Sequence, residues 1–325
     1  MQVASTDLRS LAVFRAVVEH RGFLGAQVAL GLSQSAVSFH IKALEERLGL
    51  ALCRRGRGGF ELTDRGAIVY EQSNLLFLAL DTFESRVGGL KRRITGTLRL
   101  GLVDNTITDP DLPIHRLIAV FGRKAPDAVL TLSIDAPEAL LAALGNGGID
   151  IAILPETQNY RGLKFSPLRD ERHSLYCAAS HPLYHRPEAT TEDIEKHAFV
   201  VRPYANSREL HHFPNAVAGI KVSNMEAQAL FIMSGRYIGY LPDHYAKLWV
   251  GRGEMRPIMA DTASIASPFF IAARAADRPT ALRDLFMTEL IGLASERAHL
   301  RSLADEAAHT DPDREGRVSA GPARR

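Results

Sequence analysis

Ser35, Ser38, Phe39 and Lys42 fall on one face of a short helix, and their combined chemistry is that of reading nucleic acid. Across Ser33–Gly49, the apolar residues Val37, Ile41, Leu44 and Leu48 recur at the 4-3-4 spacing of a buried face. Ser33 is placed to cap the N-terminus and Gly49 to end the helix. At about 100° per residue, Ser35, Phe39 and Lys42 then point away from that face, with Ser38 beside them. A phenylalanine turned to water gains nothing by burial, yet it fits a thymine methyl, while serine hydroxyls and lysine reach base edges and phosphates. Gln34 and His40 on the same helix complete the candidate contacts.

Such a face must be held by neighbouring elements. Upstream, Leu8, Leu11, Phe14, Val17 and Val18 form one amphipathic helix, and Gly22-Phe23 opens a shorter one through Gly25, Ala26, Val28 and Ala29. Leu30-Gly31-Leu32 is a tight turn in which Gly31 takes a left-handed conformation at low cost. Downstream, residues 52–62 read as two short strands around a basic, glycine-rich tip, a wing whose Arg54, Arg55 and Arg57 suit phosphate contact or minor-groove insertion. For a lone amphipathic helix a solvated face is the simpler reading. Helix, helix, turn, helix and basic wing in this order favour a DNA reader.

At these residues the chain resembles the LysR-type transcriptional regulators, a bacterial family. The shared pattern stands here as Ser33-Gln34, Ala43-Leu44-Glu45-Glu46-Arg47-Leu48-Gly49, Leu52-Cys53-Arg54-Arg55 and Leu62-Thr63-Asp64-Arg65-Gly66. Several motifs in register over some sixty residues make the match specific. Ser35 replaces a common proline and Cys53 a usual phenylalanine. The resemblance implies a winged helix-turn-helix, a long linker helix and a two-lobed α/β, periplasmic-binding-protein-like effector domain. It also implies tetramers that bend a partly palindromic promoter site under control of a small molecule.

Composition bounds the alternatives. The 325 residues allow two or three domains. The net charge of +2 hides an asymmetry: residues 1–98 hold 13 Lys/Arg against 9 Asp/Glu, the remainder 26 against 28. The N-terminal excess is modest, so DNA binding rests on where the arginines sit and on dimerisation. The chain shows neither an export leader nor an apolar run of about 18 residues, and cytoplasmic residence without membrane insertion is expected. Cys53 and Cys177 are far apart and have no metal-ligand companions. A redox switch between them competes with Cys177 as a small core residue of an apolar strand. His181, His185, His211-His212 and Asp243-His244 resemble bases or ligands, but metal spacing, GxSxG, P-loop and GxGxxG motifs are missing, so no catalytic residue, metal or cofactor is expected. The competing class is a solute-binding protein or enzyme of the same two-lobed fold.

Thr63 caps a helix expected to reach about Arg93. Val69, Leu76, Leu80, Phe83, Val87 and Leu90 follow 7-4-3-4-3 spacing, a heptad seam broken at Ser73. The seam reads as a dimerisation helix because nothing nearby looks long enough to cover it. From Thr95 the pattern alternates: strand 97–103, helix 112–124, strand 128–134, helix 137–144 and strand 149–154 give a parallel sheet. A second set follows with strands at 174–179, 198–201, 220–222 and 237–241 and a helix at 225–234, then a late strand at 268–274 and a closing helix from Thr280 to about Leu300. The expected units are a DNA-binding domain 1–62, a linker helix 63–93, lobe 1 in 94–168 plus 266–298, lobe 2 in 169–265, and a disordered tail 299–325. The lobes should be joined by crossovers near Leu168-Arg169 and 263–267.

The effector should bind between the lobes, at the carboxyl ends of their strands. Thr106 and Asn105 match where the family offers a polar residue to its ligand. From the other lobe, Arg202 and Tyr204 follow a strand, and Ser223-Asn224 precede a helix whose free N–H groups favour an anion. Arg202 would pair with the ligand carboxylate. The expected partners are double-stranded DNA, an anionic small-molecule effector, further copies of the chain as homodimer and homotetramer, and RNA polymerase.

Overall fold

The computed structural model describes residues 4–56, 59–90, 94–156, 160–277 and 280–309. Its N-terminal part packs helices α1 (Ser5–Glu19), α2 (Phe23–Leu30) and α3 (Gln34–Leu48) around Val13, Phe14, Val17, Ala26, Val37, Ile41 and Leu44. Gly31 takes φ 63° in the turn before α3, where a side chain would be strained. Strands β1 (Cys53–Gly56) and β2 (Gly59–Leu62) pair antiparallel as the wing.

Helix α4 (Asp64–Leu90) follows, spanning about 40 Å at 1.5 Å per residue. Thr63 caps it by accepting the Gly66 N–H at 2.9 Å. The seam is not left wholly open, contrary to the expectation from sequence. α1, strand β3 (Gly96–Leu102) and the closing helix lie against parts of α4, and Ser73, the polar break in the heptads, is buried beside Asn74. Leu76 and Leu80 are half-buried, whereas Phe83 remains 65% exposed.

After β3 come α5 (Ile114–Lys124), β4 (Ala128–Ile134), α6 (Pro137–Gly145), β5 (Ile151–Pro155) and β6 (Leu163–Ala178). β3, β4 and β5 form the expected parallel group, with β3 between the other two. The middle of the chain supplies α7 (Thr191–Glu195), β7 (Phe199–Val201), α8 (Asn206–Glu209), β8 (Ala218–Lys221), α9 (Met225–Met233), β9 (Gly239–Pro242), α10 (Asp243–Gly251) and β10 (Met255–Ile258). It ends in β11 (Ile265–Arg274) and α11 (Ala281–His309).

One apolar core gathers Leu100, Leu102, Phe121, Leu140, Ile151, Ile153 and Phe286. The other lobe packs on two clusters, one around Leu175, Phe199, Phe213, Ile238 and Tyr240, the second around Val200, Met225, Ile232 and Leu241. The lobes share β6, which pairs with β11 from Leu163 to His173 and with β9 and β10 from there to its C-terminal end.

The segments expected as crossovers therefore lie within or at the start of strands. β6 begins well before residue 174, and its register with β11 shifts between Phe269 and Phe270, so that Arg169 and Pro167 are the successive partners and Leu168 is bulged. β10, α7, α8 and α10 were not anticipated. The closing helix runs to His309, so residues 299–309 are helical rather than part of a disordered tail, and residues 310–325 lie outside the described residues. Among the described residues no helix is long and apolar enough to cross a membrane.

Candidate nucleic-acid interface and effector cleft

The outward face of α3 is set by how firmly its inner face is held. Val37, Ile41 and Leu44 are buried, the Ser33 hydroxyl accepts the Ala36 N–H at 3.1 Å, and Gly49 closes the helix at φ 66°. Arg47 pairs with Asp7 of α1 at 2.8 Å. The backbone N–H of Ala4 and the Arg47 guanidinium hold the Asp7 carboxyl below its ordinary range. The Glu45 carboxylate accepts the N–H groups of Leu52 at 2.7 Å and Cys53 at 3.3 Å, which ties α3 to the wing. Gly66 completes the joint: a Cβ there would collide with the Leu52 carbonyl oxygen, so only glycine lets α4 start so close to β1. These contacts give the Glu45 and Gly66 positions of the sequence motifs a positioning role.

Phe39 is 69% exposed, and Gln34, Ser35, Lys42 and Arg54 are exposed around it. The Ser35 hydroxyl lies 2.9 Å from that of Ser33. Lys42 pairs with Glu46 at 3.6 Å in full view of solvent, and Ser38 is half-buried. His40 differs from expectation. It is half-buried with Nδ1 3.1 Å from the Ser10 hydroxyl, so its ring leans onto α1 and braces α3. Arg57 lies outside the described residues, as do the side chains of Arg55, Val87 and Leu90.

Between the lobes a cavity of about 320 Å³ is lined by Asp104, Ile134, Asp135, Ala136 and Pro137 on one side and by Tyr204, Ser223 and Asn224 on the other. Three of the six expected effector residues therefore meet here. Asn105, at φ 63°, and Thr106 lie in the turn beyond Asp104 and do not line the cavity. Arg202 stands behind Tyr204 and is 4% exposed. Its backbone N–H and Nε donate to the buried Glu209 carboxylate at 3.0 and 2.9 Å, and Nη1 donates to the Tyr204 hydroxyl at 2.9 Å. Arg202 is thus already paired with a carboxylate of its own chain and does not itself line this cavity.

The N-terminus of α9 is occupied in the same way. Asp104 Oδ2 accepts the Met225 N–H at 2.6 Å, and Asn224 Oδ1 accepts that of Ala227 at 2.8 Å. The anion that a helix N-terminus favours is supplied from the opposite lobe. Burial nevertheless pushes the Asp104 carboxyl up, against the opposing pull of that hydrogen bond and of Arg202.

Beside the cavity, a buried polar network joins the lobes. Arg169 bridges Asp109 and Glu171, while Glu171 accepts from His173 Nε2 at 2.7 Å and His244 Nε2 at 2.9 Å. His244 Nδ1 lies 2.8 Å from the Thr108 hydroxyl. Burial raises the Glu171 carboxyl, but the hydrogen bonds from His173 and His244 outweigh it and hold the group well below its usual range. Asp109, Glu171 and His244 converge within 4.8 Å as metal ligands do, but the Arg169 guanidinium already supplies the positive charge between the carboxylates. None of the network was legible as such, because its members come from three separate segments, around residue 109, in β6 and at the start of α10.

Cys53 and Cys177 are not joined in a disulfide. Burial pushes the Cys177 thiol up to about 11, which keeps it protonated and unreactive at neutral pH.

Residues 8–67 match the family model of the bacterial regulatory helix-turn-helix proteins of the lysR family, and residues 91–294 match that of the LysR substrate binding domain. The HTH-type transcriptional activator BauR of Pseudomonas aeruginosa is 33% identical over 291 residues, which cover 88% of this chain and 95% of that protein. The chain belongs to the LysR family. This LysR-family chain also shares its fold with the solved regulator CbnR, at a TM-score of 0.62 and 18% identity over 88% of this chain and 99% of the other. CbnR in complex with its target DNA aligns at a TM-score of 0.60 and 17% identity, with the same coverage. The relatives are transcriptional regulators, as a LysR-type regulator with a winged helix-turn-helix and a two-lobed effector domain should be.

Proposed function

We propose that this LysR-type regulator reads a partly palindromic promoter site with Phe39, Ser35 and Ser38, and anchors on phosphates through Lys42, Arg54, Arg55 and Arg57. The observation that carries this reading is the Phe39 ring, held 69% exposed on a helix whose other face is sealed. Each dimer presents two copies of α3 to successive major grooves, about one helical turn apart. The working units are a DNA-binding domain 1–62, a linker helix 63–93, and lobes formed by 94–168 with 266–298 and by 169–265. The seam of α4 pairs two chains, and dimers associate into tetramers on DNA. RNA polymerase is the downstream contact, and the protein acts in the cytoplasm without catalysing a reaction.

A small molecule bound in the interlobe cavity switches the regulator, with Tyr204, Ser223 and Asn224 as contacts. The cavity's position at the carboxyl ends of β3 and β4 supports this reading. Gel-shift titration of the full chain with the DNA upstream of its own gene tests the DNA assignment. Retarded complexes that survive competitor DNA are expected. Binding that no specific sequence outcompetes would overturn it.

A further inference from the structure

Among the described residues, the cation nearest the interlobe cavity and the N-terminus of α9 are already committed within the chain. Arg202, the nearest buried cation, has its charge balanced by Glu209. At the N-terminus of α9, the N–H groups of Met225 and Glu226 are turned to Asp104, that of Ala227 to the Asn224 side chain, and that of Gln228 to the Asn224 carbonyl. At the N-terminus of α6, which also meets the cavity, Pro137 occupies the first position and has no N–H, so only the N–H groups of the next residues, which no side chain caps, remain there. No lysine, arginine or histidine lines the cavity among the described residues.

Two carboxylates do line it. β3 and β4 run parallel with Leu102 opposite Ile134, so Asp104 and Asp135 leave adjacent strand ends on the same lip. Asp104 makes no ion pair among the described residues, and burial destabilises its charged form. Asp135 is exposed. The remaining polar wall consists of the Ser223 hydroxyl, which can donate or accept, and of the Tyr204 hydroxyl and Asn224 amide, whose oxygens already accept from Arg202 and the Ala227 N–H.

We propose that the effector is a small organic cation whose protonated amine binds between Asp104 and Asp135. This rests on the reading of the cavity as the effector site and reverses the charge expected from sequence. At about 320 Å³ the cavity stands near the small end of ligand pockets, so the molecule is compact. The ammonium compensates the desolvated Asp104 carboxylate, which no side chain among the described residues does by direct pairing. It also shares that carboxylate with the Met225 N–H, so occupancy alters the bond by which one lobe holds the other.

The test uses the full chain and three probes of nearly equal shape, propylammonium, propan-1-ol and propionate, at constant ionic strength. Saturable binding is followed by ligand-detected NMR. Propylammonium should bind, and Asp135→Asn should weaken it by about tenfold or more, as expected for loss of one charge-assisted hydrogen bond. Asp104→Asn should do the same while leaving an amide oxygen for the Met225 N–H. Absence of saturable propylammonium binding overturns the inference, as does undiminished binding by the Asp135→Asn, Asp104→Asn double variant. Filling the cavity with Ala136→Trp separates the two readings. Propionate binding that this variant abolishes keeps the effector site but overturns its cationic character. Propylammonium binding that survives it places the site elsewhere and overturns both.

Discussion

At Phe39 an aromatic ring stands in water on a helix that has already buried Val37, Ile41 and Leu44. Removing the ring costs the fold little, so the consequence falls on recognition. Phe39→Ala should change relative affinity among operator variants by about 1–3 kcal/mol for each base that the ring reads. Arg54→Ala should instead weaken all sequences alike and lower the salt slope by about one unit. Competition binding on a panel of single-base operator variants checks both, and an equal loss on every variant would remove Phe39 from base readout. Phe39 was legible in the sequence because an outward apolar residue at helical spacing is anomalous. Arg202 was not, because an arginine after a buried strand reads the same whether free or paired. Its partner Glu209, on the short helix α8, becomes visible only when the fold brings α8 back to β7. His40 failed for a related reason: the hydroxyl that draws it inward belongs to Ser10, on another helix.

Among the elements, the short turn after β6 makes lobe 2 sensitive to pH. His181 caps it, its Nδ1 accepting the Leu183 N–H at 3.1 Å, which requires an unprotonated Nδ1. Burial, with His197 adding to it, pushes the His181 imidazole down to about 4 from 6.5. Between those values the unfolded chain takes up a proton that the folded chain refuses. The contribution of His181 is therefore present above pH 6.5 and is lost as the pH falls toward 4. After allowance for solvent screening the loss is about 1–2 kcal/mol. His181→Asn keeps an acceptor and removes the titration, so its urea midpoint should fall less steeply over this range than that of the parent. Identical slopes would remove His181 as the source of the pH dependence and leave it to His173 and His197, which burial also holds down.

Element identity in lobe 1 was readable because β3, β4 and β5 alternate with helices of clear period. The first half of β6 was not. Its Lys164, Arg169, Asp170, Glu171 and Arg172 have the composition of a loop, yet Arg169 and Glu171 are charged because they form the buried network between the lobes. The run of α11 to His309 was missed because the apolar spacing it keeps through Leu300, Leu303, Ala304 and Ala307 ends in alanines, which give a weaker signal than larger apolar residues.

For the whole molecule, oligomerisation and operator binding should stand or fall together. Phe83 remains exposed on α4 after the chain's own elements have covered Ser73 and Asn74. Phe83→Asp places a charge in the proposed helix pair and should weaken dimerisation by about 2–4 kcal/mol, the range of an interface anchor. Sedimentation equilibrium and gel shift on the same sample check it. A monomer that bound a full operator with parental affinity would refute α4 as the pairing helix.

The shared ribbon of β6 and β11 also fixes the order in which the molecule can be completed on the ribosome. β5, five buried residues long, pairs with β3 on one edge and β11 on the other. Between the end of β5 and the start of β11 lie about 110 residues, so at roughly 5–20 residues per second the second edge stays open for about 5–20 s. During that interval the nascent chain exposes an apolar strand edge of the kind that templates aggregation. Synthesis rate across the lobe 2 codons thus becomes a determinant of soluble yield, and chaperone demand should peak before residue 265 emerges.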